Sequence, residues 1–164
     1  MYRRAVLPAV LLAAALTGAA ACSAPEPTGA SGAAPATQLA EPDHTVLAAN
    51  STAKLGTVVI DGLGWTLYRS DGDSATPSKS VCTGQCADEW PPVLMQAGTP
   101  AYDGIDPARI GTVTRDDGRQ QVTIGGWPVY RHAGDSKPGS VDGQGAQGSW
   151  WAVTPTGDKA ANQS

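Results

Sequence analysis

The sequence predicts an all-β protein: one small domain made of two pseudo-symmetric β-hairpin or meander repeats, set behind a signal peptide and a disordered linker. Three observations carry this. Gly64, Trp65, Tyr68, Arg69, Gly72, Asp73 and Ser74 recur as Gly126, Trp127, Tyr130, Arg131, Gly134, Asp135 and Ser136, each pair 62 positions apart, so seven of eleven ungapped positions are identical and the unit is duplicated. Short β-branched and aromatic runs alternate with glycine turns, and no segment sustains an apolar period of 3.6 residues. The first 44 residues are a basic and apolar leader followed by a polar, Pro-rich tract, which leaves the rest of the chain to build a core.

The elements follow in order. Arg3 and Arg4 precede an almost wholly apolar stretch over residues 5–21 that ends in small residues before Cys22, the form of an export signal. A membrane span would need about 20 apolar residues and would not normally stop at a Pro-rich polar tract. The leader resembles the bacterial lipoprotein signal, which implies residues 1–21 as signal peptide and a diacylglycerol on Cys22. Ala19 stands where that signal favours Leu, so cleavage by ordinary signal peptidase within the alanines stays open. Residues 22–44 read as the lipidated Cys22 and a flexible Ala/Pro/Gly linker with an end-to-end distance of about 25 Å. Residues 45–158 are the expected β domain, with repeats at about 54–95 and 110–157, and 159–164 are expected to be a disordered tail.

Within the domain, residues 55–60 and 65–69 form a hairpin around the turn Asp61-Gly62-Leu63-Gly64. The second unit has runs at 110–115, 121–124 and 127–131, broken by Asp116-Asp117-Gly118-Arg119 and by Gly125-Gly126. Residues 151–154 supply a last strand, and only residues 106–110 suggest a helical turn. Trp90-Pro-Pro-Val resembles Trp150-Trp-Ala-Val at an offset of 60. With no Phe, the large apolar surfaces fall to five Trp and the tyrosines. These read as core and as lids over glycine turns; a stacking surface from Trp90 and Trp150 is the alternative.

With Cys22 lipidated, Cys82 and Cys86 remain as a pair in an oxidising compartment, and a disulfide follows. Removal of residues 1–21 takes Arg3 and Arg4, leaving nine basic against fifteen acidic side chains, a net charge of −6. Such a surface as a whole repels nucleic acid and anionic lipid headgroups, and no nucleic-acid partner is expected.

Gly-Trp-Thr-Leu-Tyr68 with Asp73, Cys82-Thr-Gly-Gln-Cys86-Ala-Asp-Glu-Trp90-Pro-Pro, Arg115-Asp-Asp-Gly, Trp127-Pro-Val-Tyr130 with Asp135, and Gly143-Gln-Gly145 together resemble the "secreted repeat of unknown function" lipoproteins over residues 54–157. That family is marked by a Tyr followed five positions later by Asp. Its usual aromatic residue two positions after the Tyr is replaced here by Ser70 and His132. The resemblance implies the fold and an extracytoplasmic location and supplies no activity.

The chemistry-bearing residues are few. In extended strands Tyr68 and Tyr130 point away from the face of Leu67 and Val129, and the glycine before each Asp lets the chain turn back so that the Tyr and Asp of one half meet. Tyr68/Asp73 and Tyr130/Asp135 are then either loop-fixing hydrogen bonds or the walls of a shared cleft for a cation or polar ligand. Cys82 and Cys86 are a staple on one reading and a redox pair on another, with Asp88 and Glu89 opposing a stabilised thiolate. Cys82, Cys86 and His132, with Met95, are weak candidates for Cu(I) or Zn. The glycines around Gly143-Gln-Gly145 read as loop glycines, since no helix follows to present N–H groups to phosphate.

No nucleophile elbow or haem-attachment motif is present, and no cofactor is implied. The reading favours a non-enzymatic module on the extracytoplasmic face of the cell membrane, held by its lipid and binding an extracellular small molecule, glycan or protein. The rival is an extracytoplasmic redox or metal-handling protein using Cys82, Cys86 and His132.

Overall fold

The computed structural model describes residues 42–163; the leader, Cys22 and the linker up to residue 41 lie outside the described residues, as does Ser164. Ten strands, β1 Val46–Thr52, β2 Gly56–Asp61, β3 Tyr68–Ser70, β4 Ser74–Ala75, β5 Ser78–Lys79, β6 Ala101–Asp103, β7 Ile110–Thr114, β8 Gln120–Ile124, β9 Trp127–Pro128 and β10 Trp150–Ala152, are joined by one short helix, α1 Gln85–Glu89, and two 3-10 turns, Pro107–Arg109 and Ala146–Gly148. The protein is all-β.

Strand β1 pairs antiparallel with β2 and parallel with β6, β3 with β10, β4 with β5, and β7 with β8, which pairs in turn with β9. The β8–β9 link is a two-residue hairpin loop in which Gly125 and Gly126 both have positive φ, at 58° and 84°, as a type I′ turn demands. At the Asp61 turn the carboxylate does the equivalent work, accepting from Leu63 N–H at 2.9 Å and Trp65 N–H at 3.0 Å.

The two halves are woven together by a reciprocal exchange of strands. Val59 N–H donates to Val153 O, Val153 N–H to Leu67 O, and Leu67 N–H to Val59 O, each at 2.9 Å. The second half repeats this ring: Val122 N–H donates to Val93 O at 2.8 Å, Val93 N–H to Val129 O at 3.0 Å, and Val129 N–H to Val122 O at 3.1 Å. Each ring takes two residues from one repeat and its third from the far end of the other. The resemblance of the segments after Trp90 and Trp150 is therefore an equivalence of strands, each completing the opposite half.

At the centre, Tyr68 and Tyr130 face each other as an antiparallel pair, with N–H to O distances of 2.8 and 2.9 Å. Because successive strand residues project to opposite faces, this ribbon divides the core in two. Leu67 and Val129 join Leu47, Val59, Val122, Ile124 and Val153 in an aliphatic cluster. Tyr68 and Tyr130 join Trp90, Trp150, Val58 and Cys82 in an aromatic one.

Several elements lie beyond the sequence reading. β1 and β6 carry no clean alternation, and α1, closed by Trp90 N–H on Cys86 O at 2.8 Å, is too short to show a period. The expected disordered tail is corrected: Ala160 is buried and donates to Ala152 O at 2.8 Å, Lys159 pairs with Val153, and Gln163 N–H reaches Lys54 O at 2.7 Å. A single small apolar residue suffices there because the backbone pairs with a neighbouring strand.

Candidate functional site

The duplicated Tyr and Asp residues come together across the halves and not within them. Tyr68 Oη donates to Asp135 at 2.9 and 3.2 Å, and Tyr130 Oη donates to Asp73 at 2.7 Å. The in-half pairing expected from the spacing is thus corrected. Exchange of the flanking strands sets each tyrosine beside the turn of the opposite repeat, while each Asp stays in its own turn.

That turn is the same in both copies. Asp73 N–H donates to Ser70 O and Asp135 N–H to His132 O; Asp73 accepts from Val81 N–H at 2.8 Å and Asp135 from Asp142 N–H at 3.0 Å. Each carboxylate therefore ties down the loop that follows it and, through the phenol, anchors that loop to the other repeat.

The surroundings are dry and aromatic. Tyr68 and Tyr130 are fully buried, Asp73 and Asp135 nearly so. Trp90 and Trp150 stack face to face, centroids 3.9 Å apart and planes 2° from parallel, and each meets one tyrosine edge-on, Tyr68 to Trp90 at 5.5 Å and Tyr130 to Trp150 at 5.2 Å. Such edge-on pairs contribute about 0.5–1.5 kcal/mol each beyond burial. A stacking surface from Trp90 and Trp150 is ruled out, since they are 1% and 4% exposed and occupied with one another.

The two sides differ where the sequences differ. His132 stacks on Trp90 at 4.3 Å with Nδ1 3.5 Å from Asp135, whereas its counterpart Ser70 turns its hydroxyl to Gly72 N–H at 3.1 Å. Around Tyr130, Ser80 Oγ lies 2.7 Å from the phenol and accepts from Arg115 Nη1 at 2.8 Å. Arg115 also donates to Gln121 Oε1 at 2.6 Å and to Cys82 O at 2.7 Å. These three side chains escaped the sequence reading as site residues. The Arg115-Asp-Asp-Gly motif was the only signal, and it reads as a turn.

Burial, with the facing Asp135 carboxylate next, raises the Tyr68 phenol far above its ordinary value of 10.0. Burial also raises Tyr130, with Asp73 adding to it while Ser80 opposes. The Asp73 carboxyl is raised by burial although Val81 N–H, Tyr130, Arg115 and Arg69 pull it back. At neutral pH the phenols are thus proton donors whose protons are already committed. None of the four lines the surface clefts beside Leu63, Pro91, Asp116 and Lys137.

Cys82 and Cys86 form the expected disulfide, Cα atoms 5.3 Å apart, across the start of α1. The imagined metal set is not assembled. Cys82 belongs to the aromatic cluster, Met95 packs on the aliphatic one, and among the described residues no group of three His, Cys, Asp or Glu is placed to hold an ion. In the Gly143-Gln-Gly145 motif, a Cβ on Gly143 would lie 2.8 Å from the Tyr68 ring and 2.9 Å from Trp90, while Gln144 bonds Ala152 N–H and Ala160 O, each at 2.9 Å.

Comparison with protein families finds one model that matches twice, over residues 50–94 and 111–154, described as a secreted repeat of unknown function. The chain belongs to the secreted repeat family of unknown function. The two matches cover the two halves whose strands are exchanged, and each contains one Tyr. Comparisons with curated proteins and with solved structures give no match. Membership in the secreted repeat family places the chain outside the cytoplasm. Among the described residues no helix is long and apolar enough to cross a membrane.

Proposed function

We propose that this chain is exported, lipidated at Cys22, and held on the extracytoplasmic face of the cell membrane, where residues 23–44 tether a non-enzymatic β module that binds a ligand or partner outside the cell. The observation that carries the module reading is the interlock: the duplicated phenols and carboxylates are buried and hydrogen-bonded to each other. A catalytic acid or base needs a proton it can exchange with substrate, and these protons are spent on joining the halves. Binding is thereby left to the surface, on a rigid scaffold that presents loops.

The anchor reading rests on the leader and on acyl-chain energetics. Each buried methylene adds about 0.8 kcal/mol of membrane affinity, so two or three chains hold the protein at the bilayer. Replacement of Cys22 (Cys22→Ser) is expected to move the protein from the detergent phase to the aqueous phase on Triton X-114 partitioning. Retention in the detergent phase would refute lipid anchoring at this residue.

A further inference from the structure

The tip of the β1–β2 hairpin and the loop after Lys137 enclose an open cleft of about 420 Å³. Besides Thr52, whose hydroxyl donates to Gly56 O and accepts from Leu55 N–H, its polar side chains are Asn50, Ser51, Lys54, Lys137, Ser140 and Asp142. Among the described residues none of these six has a side-chain hydrogen bond or ion pair. Ser140 and Asp142 spend only backbone atoms, on Thr66 and Asp135.

The two lysines differ from the five cations that form ion pairs among the described residues. Arg69 and Lys159 pair with Asp71, Arg115 and Arg119 with Asp117, and Arg131 with Asp61. Among the described residues Lys79 and Arg109 are also without an ion pair, and neither lines this cleft. Two ammoniums without an ion-pair partner, against the single carboxylate of Asp142, give this concavity a net positive charge on a domain whose net charge is negative.

We propose that this cleft binds an anionic carbohydrate, a sugar or polyol unit carrying one carboxylate or one phosphodiester, as found in envelope glycopolymers. Lys54 and Lys137 supply point charges for the anion. The Asn50 amide, the Ser51 and Ser140 hydroxyls and the Asp142 carboxylate offer donors and acceptors for ligand hydroxyls, and Asp142 opposes a second negative charge. The volume is that of a small-ligand site. A nucleic acid is disfavoured by the acidic surface and by the lack of an aromatic residue in the cleft on which a base would stack. The cleft lies at the C-terminal end of β1, about 20 Å along its seven extended residues from Val46.

This inference rests on the surface-module reading and is tested apart from it. The full-length lipoprotein in nonionic detergent is titrated by calorimetry with methyl β-D-glucuronide, glycerophosphoglycerol, uncharged methyl β-D-glucoside and dimethyl phosphate. At least one charged polyol is expected to bind, and to bind about tenfold more tightly than both controls. The Lys54→Gln/Lys137→Gln variant is expected to lose about tenfold in affinity while its unfolding midpoint is unchanged. The stronger of the two charged probes identifies the anion. Failure of both to bind below about 10 mM, equal binding of dimethyl phosphate, or unaltered affinity of the variant overturns the proposal. Detergent-phase partitioning of the same preparations reports the anchor independently, so loss of one leaves the other standing.

Discussion

Exchange of the Tyr–Asp contacts between halves makes a prediction that in-half pairing does not. In a double-mutant cycle, Tyr68→Phe deletes the hydroxyl that donates to Asp135, and Asp135→Ala deletes its acceptor. Both groups are buried, and the acceptor is a carboxylate that also holds Asp142 N–H. A hydrogen bond to a charged group in such a place contributes about 1.5–3 kcal/mol. The coupling energy between Tyr68 and Asp135 is therefore expected at about 1.5–3 kcal/mol, with a similar value for Tyr130 and Asp73. The in-half cycles, Tyr68 with Asp73 and Tyr130 with Asp135, join side chains that share no hydrogen bond. Their effects should add to within about 0.5 kcal/mol. Urea unfolding of the oxidised protein, followed by tryptophan emission, measures all four cycles, and an unchanged m-value confirms that the folded and unfolded states are comparable. Coupling in the in-half cycles together with additivity across the halves would refute the interlock.

Two further perturbations address the same centre. Tyr68 and Tyr130 keep their protons in the folded state above their ordinary value of 10.0, so their contribution is complete below pH 10 and is lost as pH rises through the folded values. Two retained protons correspond to a fall of about 2.7 kcal/mol per pH unit above pH 10, and urea unfolding of Tyr68→Phe/Tyr130→Phe should lack that part of the slope; an equal slope would refute the assignment. Gly143→Ala sets a methyl 2.8 Å from Tyr68 and 2.9 Å from Trp90, both rigid and buried, and should cost about 1–3 kcal/mol in the same unfolding assay; an effect below about 0.5 kcal/mol would show that the rings yield freely.

Much of this protein was legible in its sequence because the information is local. The 62-residue offset announces two copies, the Gly125-Gly126 pair announces a tight turn, and alternation at Leu67-Tyr68 and Val129-Tyr130 announces two faces. The aliphatic and aromatic clusters lie on those faces. The disulfide followed from cysteine number and compartment, since a loop of three residues leaves Cys82 and Cys86 within reach of one another.

What the tertiary structure alone decided is partnership. A period of two tells which way Tyr68 points and nothing about which of two identical turns will meet it. Asp73 and Asp135 present the same carboxylate in the same bend. Which one Tyr68 reaches depends on Val93 and Val153 leaving their own repeats to complete the opposite rings, a long-range pairing that leaves no local pattern. Arg115 and Ser80, and the lysine cleft between the β1–β2 tip and the loop after Lys137, arise in the same way. Duplicated sequence dictates equivalent shapes; only the packing of one copy against the other determines which surfaces are buried at the joint and which remain free to bind.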